Sequence, residues 1–315
     1  MKVSTATLRP LCEAGHLVPA IDFVASLIFS TSSWFWTRIL VPTHNRPYPG
    51  TTVALPDGGS IFVRDPQHMD PFLPDDESAV NATYLRNMVI GFVILIGLLA
   101  HFTRREAKVA MPMMMWAIGL TEMVTNPTKN YVGRLRPQFY SCCGWDEATQ
   151  ACTWDPSRMP DPHFSPPDSR HSFPSEHSSL AMCGGLLLSF YAFRVLPSPR
   201  PAAGLCRTVD VAQHALHVFL CRLLTPLALT PMAFAVWVGA SRVHDNWHHP
   251  SDVATGLVLG GGCAAIACHC YFGAPGTRPG YRAVESATES ESANSSTVTT
   301  PGERDGKQTR SQALV

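Results

Sequence analysis

Apolar residues gather into six runs along this chain, separated by stretches rich in proline, charge and histidine. Three of the runs, Met88–Phe102, Leu223–Ala240 and Val253–Phe272, contain no acidic, Lys or Arg side chain. Val109–Val124 has a single internal acid, Glu122; Ser178–Leu196 carries Arg194 close to its end; Ala20–Leu40 has Asp22 and Arg38 near its margins. Each approaches the roughly 20 apolar residues that a helix needs to cross a bilayer. Trp34 and Trp36 stand where an interfacial aromatic belt would be. The pattern predicts an all-α, polytopic membrane protein of six transmembrane helices.

Length alone would suit two soluble domains, since the chain has 315 residues. Composition argues otherwise, because charged residues make up only 15% of the chain, against about a quarter in a typical soluble domain. Lys and Arg number 24 and so do Asp and Glu, so no basic excess points to nucleic acid. The mean hydropathy of +0.04 is near neutral because polar loops and a polar tail dilute the apolar runs. Ten cysteines are too sparse for a disulfide-built scaffold. The first run starts late and lacks a small-residue cleavage site, so no removed signal peptide is expected. The expected organisation is a cytosolic segment 1–19, a six-span domain 20–272 and a tail 273–315. Beyond Tyr281 that tail is rich in Ser, Thr and Glu and reads as disordered.

Positive charge orients the spans. Arg104, Arg105 and Lys108 follow the second, while Arg200 and Arg207, flanked by Arg194 and Arg222, lie between the fourth and fifth. The positive-inside rule places these in the cytosol. Both termini are then cytosolic, and loops 41–82, 126–177 and 241–252 face the lumen or the exterior. The endoplasmic reticulum, Golgi and plasma membrane all fit. The sequon Asn81-Ala82-Thr83 is a candidate glycan acceptor on that side, with its use left open. A disulfide from Cys142 or Cys143 to Cys152 also fits that oxidising side, with the choice between them open.

Chemistry-bearing residues cluster where these loops meet the spans. Lys129-Asn-Tyr-Val-Gly-Arg134-Leu-Arg136-Pro137 ends the third, Phe173-Pro174-Ser175-Glu176-His177-Ser178 opens the fourth, and Ser241-Arg242-Val-His244-Asp-Asn-Trp247-His248-His249-Pro-Ser-Asp252 joins the fifth to the sixth. Loops separated by two crossings share one membrane face, so the three segments can converge. Lys129, Arg136 and Arg242 would place three cations there, a costly cluster near lipid unless an anion offsets it. A tetrahedral phosphate suits forked Arg donors and a Lys point charge. Ser175 is a candidate N-cap, and free N–H groups at a helix start favour phosphate. Two histidines near one phosphate can divide the work, one attacking phosphorus and the other protonating the departing oxygen. Asp252, one turn beyond His248, is placed to hold its imidazole in the reactive tautomer.

These segments resemble the signature of the type 2 phosphatidic acid phosphatase (PAP2) superfamily: Lys-x6-Arg-Pro, then Pro-Ser-Gly-His, then Ser-Arg-x5-His-x3-Asp. Gly133-Arg134-Leu135-Arg136-Pro137 and Trp247-His248-His249-Pro-Ser-Asp252 are similar to the lipid phosphate phosphatase branch, and the resemblance runs from about Asp75 to Phe272. It implies a helical-bundle core and hydrolysis of phosphatidate through a phosphohistidine, with the choice among phosphatidate and related lipids such as lysophosphatidate, sphingosine phosphate or diacylglycerol pyrophosphate left open. It implies His248 as nucleophile, Asp252 as its orienting partner and His177 as general acid. Lys129, Arg136, Ser175, the Glu176 backbone amide and Arg242 would hold the phosphate. No metal ion or other cofactor is implied, Mg2+ included. The expected partners are the bilayer and a membrane lipid phosphate, and a homo-oligomer is compatible with this reading.

The sequence departs from the signature at Glu176, which stands in place of the family's glycine. Its carboxylate is expected to turn away from the phosphate, to pair with a neighbouring Arg or to sit in the first helical turn. Arg134 lies outside the signature and reads as an interfacial anchor. Glu122 within a span flags function or a polar partner in the bundle, and the Met111–Met115 run reads as packing. His244-x3-His248-His249 fits a di-iron histidine box, but the other histidines are too scattered to complete the ligand set. Three rivals keep the same cradle: a silent lipid-phosphate-binding scaffold, a vanadate haloperoxidase (a soluble class) and a phosphotransferase.

Overall fold

The structure is a computed structural model that describes residues 17–103, 107–155, 157–161, 164–195 and 211–272. Six long helices dominate: α1 (Leu17–Leu40), α2 (Ala82–Thr103), α3 (Ala107–Val132), α5 (Glu176–Val195), α6 (Val211–His244) and α7 (Pro250–Phe272), with a single-turn α4 (Phe139–Cys142). Each long helix contains or overlaps one apolar run, and most extend past it. Helical hydrogen bonding does not stop where apolar residues do, so α3 carries on through Lys129 and α6 through Arg242. Three helical stretches, Ala82–Leu99, Val218–His244 and Pro250–Phe272, are long and apolar enough to cross a membrane. The chain is a mostly helical membrane protein. The segment 1–16, the basic residues Arg104, Arg105, Arg200 and Arg207, and the tail 273–315 lie outside the described residues.

Helix α5 is the hub, packed against α2, α3, α6 and α7. Its Cys183, Leu187, Leu188 and Tyr191 meet Phe92 and Ile96 of α2, Met113, Met114 and Ala117 of α3, and Ala264 and Ala267 of α7 in the main core. The Met111–Met115 run thus contributes packing. Helix α1 lies along α3.

The purely helical expectation needs one correction. Loop 41–81 forms an antiparallel hairpin of β1 (Gly50–Ala54) and β2 (Ser60–Arg64), with Thr52 opposite Phe62. A shorter hairpin joins β3 (Trp145–Asp146) to β4 (Ala151–Cys152). The first has a local signal: Asp57-Gly58-Gly59 between β-branched stretches is hairpin chemistry, and Gly58 has the positive φ (86°) such a turn uses. The hairpins share an aromatic cluster in which Tyr48 and Phe62 pack against Phe139, Tyr140, Trp145 and Trp154. Arg64 donates to Glu147 at 2.7 Å and the Tyr140 hydroxyl to the Pro49 carbonyl at 2.6 Å. Cys143 and Cys152 form the disulfide, and Cys142 is a buried free thiol. Asn81 caps α2, its Oδ1 accepting the Tyr84 N–H at 2.8 Å.

Candidate active site

The C-terminal ends of α3 and α6 and the N-terminal ends of α5 and α7 come together at one end of the bundle, and the three polar segments converge there. Glycine makes this convergence possible. A Cβ on Gly256 would stand 2.5 Å from the Ser175 carbonyl oxygen, and one on Gly260 would collide with the Ser179 carbonyl. With only hydrogens at these two positions, α7 closes on the first turn of α5 as small-residue helix pairs do in membranes. The Ser175 N–H then donates to the Asp252 carbonyl across the seam at 3.1 Å.

Each helix start is built locally. The Ser175 hydroxyl accepts the Ser178 N–H at 3.4 Å and the Ser178 hydroxyl at 3.0 Å, which is N-cap geometry. At α7 the order is His249, Pro250, Ser251, Asp252. Proline at the first position lacks an N–H that would have no helical partner anyway. The Asp252 carboxylate reaches back to the His249 N–H at 3.0 Å, a capping-box contact. Helix α3 ends at Gly133, whose φ of +57° and contact with the His44 carbonyl exclude a side chain. The turn aims Arg134 and Arg136 back across the site.

His248 sits between α6 and α7, 3% exposed. Its Nδ1 is 2.6 Å from the Ser172 carbonyl oxygen and 3.9 Å from Asp252 Oδ2. A carbonyl only accepts, so Nδ1 carries the proton and Nε2 keeps its lone pair. Burial pushes this imidazole down to about 3; Arg136 and Lys129 push the same way and Asp252 pulls against them. The ring is neutral at pH 7.

The direct Asp252–His248 hydrogen bond expected from their spacing is not made. Asp252 Oδ2 accepts instead from the Ser172 hydroxyl at 2.6 Å and from the His249 N–H, and Oδ1 from Arg134 at 2.6 Å. Ser172 is therefore the link, with its hydroxyl on Asp252 and its carbonyl on His248. Arg134 needs correction as well. Its Nη1 also donates to the Ser251 hydroxyl at 2.7 Å, so it is part of the site's framework and not a simple interfacial anchor.

The three expected cations are present and buried, each held differently. Arg136 donates from Nε to the Asp168 carbonyl at 2.7 Å and from Nη1 to the Trp247 carbonyl at 2.9 Å, and its guanidinium lies 4.8 Å from the Trp247 ring. Arg242 pairs with Asp245 at 2.8 Å, while its buried Nε and Nη1 have no partner among the described residues. Lys129 Nζ bonds Glu176 at 2.9 Å. Glu176 sits in the first turn of α5, one of the expected alternatives, but its carboxylate pairs with Lys129 and neither faces away nor chooses an arginine. His177 Nε2 is buried with no partner among the described residues, and its ring lies in the field of Arg242, His248, Glu176 and Lys129. Buried polar atoms without partners, beside an imidazole nitrogen that keeps its lone pair, are an arrangement that can cradle an oxyanion.

His249 stays outside this set, its Nε2 on the Leu135 carbonyl at 3.2 Å. Glu122 is buried one turn below Asn126, whose amide donates to it, so it has a polar partner within the bundle. Among the described residues no group of His, Cys, Asp and Glu is arranged to hold a metal ion. Sequence reasoning missed Ser172, Arg134 and Asp245. Asp245 was legible, three residues from Arg242 and within reach on the same helical face; Ser172 had no local signal.

Comparison with known proteins shows the family. The PAP2 superfamily model matches residues 113–275, which covers α3, α5, α6 and α7 and every residue of the cradle. The chain belongs to the PAP2 superfamily. It is 30% identical over 167 residues to lipid phosphate phosphatase 2 of Arabidopsis thaliana, covering 50% of this chain and 48% of that protein. It is 29% identical over 164 residues to phospholipid phosphatase 2 of Rattus norvegicus, 49% of each chain, and 30% over 162 residues to the Homo sapiens protein of that name, 50% and 49%. The match spans about half the length of these relatives. No solved structure matches significantly.

Proposed function

We propose that this protein is an integral membrane lipid phosphate phosphatase that cleaves the phosphomonoester of phosphatidate, and of related lipid phosphates, without a metal ion. The observation that carries the reading is the pairing of His248, neutral with its lone pair on Nε2, with the unpartnered buried Nε and Nη1 donors of Arg242 and the unpartnered buried Nε2 of His177. In the first step Nε2 of His248 bonds to phosphorus as the ester P–O bond breaks, and His177 gives its proton to the departing alkoxide. In the second His177 takes a proton from water, whose oxygen displaces Nε2 and releases inorganic phosphate. Arg242, Arg136, Lys129 and the N–H groups at the start of α5 hold the phosphoryl oxygens. Asp252 acts on His248 through Ser172.

All six long helices cross the bilayer in this reading, and the site faces the lumen or exterior. The Cys143–Cys152 disulfide at the same end supports an oxidising side. A cradle at the membrane face lets a headgroup enter while acyl chains stay among the helices. The silent-scaffold reading draws its support from the Lys129–Glu176 pair, which ties up one of the three cations.

The test is phosphate release from phosphatidate in detergent micelles containing EDTA. Wild type should turn over, and His248→Ala should lose activity by about a thousandfold or more. A folded wild type that releases no phosphate from phosphatidate, lysophosphatidate, sphingosine phosphate or diacylglycerol pyrophosphate would sink the proposal in favour of the scaffold.

A further inference from the structure

Two of the cradle's cations have a carboxylate counterion, and the two counterions are held differently. Asp245 is fixed: Oδ2 accepts from Arg242 and from the Ala79 N–H at 2.9 Å, Oδ1 lies 2.9 Å from His244 Nδ1, and the residue is 3% exposed. It leaves two donors of Arg242 facing the cradle. Glu176 is the first residue of α5, between Ser175 and His177, and its side chain is 19% exposed while that of Lys129 is 9% exposed. It sits where a phosphate bound between Lys129 and the α5 N-terminus would place an oxygen.

We propose that the Glu176 carboxylate is a built-in competitor for Lys129, occupying its ammonium until a phosphate displaces it and thereby loosening the grip on substrate and product phosphate alike. Lys129 is a point donor on a flexible stem, so it can exchange one oxyanion for another without moving the backbone. Glu176 has three side-chain torsions and an outlet to solvent, so it can swing clear when a dianion arrives. The cradle then binds phosphate more weakly than one with a glycine at this position and releases inorganic phosphate sooner. Glu176 is a positioning residue, acting through Lys129 and not on phosphorus. The inference rests on the phosphate-cradle reading of the site, but anion binding can be measured without turnover.

The experiment titrates orthovanadate, a tetrahedral phosphate analogue, into the full-length detergent-solubilised protein and reads the thermal unfolding midpoint, which rises with ligand bound to the folded state. Glu176→Gln keeps the shape and removes the charge. It should bind vanadate about tenfold or more tighter than wild type, the scale of one charge-assisted contact. Lys129→Gln should bind more weakly, and Glu176→Gln added to Lys129→Gln should bring no further gain. Should Glu176→Gln fail to fold, Glu176→Gly replaces it, since glycine is the signature's own residue there. Unchanged or weaker binding in the charge-removed variant overturns the proposal, as does a gain that survives in the Lys129→Gln background. Binding to none of the variants overturns it together with the cradle. Turnover gives a separate arm: wild type without activity on any lipid phosphate defeats the phosphatase reading, and the vanadate comparison still decides the role of Glu176. In an active enzyme Glu176→Gln should lower KM and the inhibition constant of inorganic phosphate together.

Discussion

Helices α5 and α6 lie side by side and carry opposite kinds of surface. Along α6, Phe219, Leu223, Leu227, Val236 and Trp237 are half exposed or more. Along α5, Ala181, Cys183, Leu187 and Tyr191 are wholly buried, and so are Ser175, Ser178 and Ser179 at its start. The outer helix must offer apolar side chains to lipid on most of its circumference. The central helix packs against four neighbours, so it can hold polar groups wherever one of them bonds to these. Among the described residues α2, α6 and α7 carry stretches long and apolar enough to cross a membrane, while the more deeply packed α3 and α5 do not. The site draws on both kinds of helix, α3 and α5 together with the ends of α6 and α7.

Two glycines two residues apart in α7 test this comparison most sharply. Gly260 faces α5, where a Cβ would collide with the Ser179 carbonyl, whereas Gly262 has nothing within 4 Å. Gly260→Ala must push α7 away from α5. It should cost about 1–3 kcal/mol of stability by overpacking and abolish turnover, because Asp252 and Ser175 move apart. Gly262→Ala should leave activity unchanged and gain up to about 1 kcal/mol from helix propensity. Thermal unfolding and phosphate release on both variants check the pair; equal behaviour would mean that the tight seam does not assemble the site.

The same contrast accounts for what the sequence made legible. Lys129, Arg136, Ser175, His177, Arg242, His248 and Asp252 announce themselves through spacing, and the apolar runs predict the six long helices that bring them to one end. The hidden part is made by residues whose partners are distant in sequence. Ser172 reaches His248 and Asp252 from 76 and 80 residues away, and Arg134 reaches Asp252 from 118. No local pattern encodes such contacts. The inward turn of Glu176 was similarly hidden, because the charge of Lys129 is legible but its position relative to the first turn of α5 depends on how α3 packs against that helix.

Arg134 gives the next effect in size. Its bond to Oδ1 of Asp252 fixes the carboxylate so that Oδ2 meets Ser172 and the start of α7. Removing a hydrogen bond to a charged group costs about 1.5–3 kcal/mol, so Arg134→Ala should lower kcat about tenfold to a hundredfold. KM should change little, since Arg134 does not face the phosphate in this arrangement. Arg134→Lys should recover part of the rate. A variant with wild-type kcat would return Arg134 to the role of an anchor.

The smallest effect concerns acidity at the junction of the exposed helix and the buried seam, where His248 lies. Its imidazole is held down to about 3, while an unfolded histidine titrates near 6.5. Between these values the unfolded chain binds a proton that the folded chain refuses, so folding stability rises with pH across that window. The stability present above pH 6.5 is lost as the pH falls towards 3, at a rate approaching about 1.4 kcal/mol per pH unit from this one group. His248→Asn removes the titrating ring and keeps a polar side chain. The drop in unfolding midpoint between pH 6.5 and 5.5 should therefore be smaller in the variant than in wild type. An identical drop would show that His248 is not sealed from water, and the buried seam would then have to be more open than the glycine contacts of α7 imply.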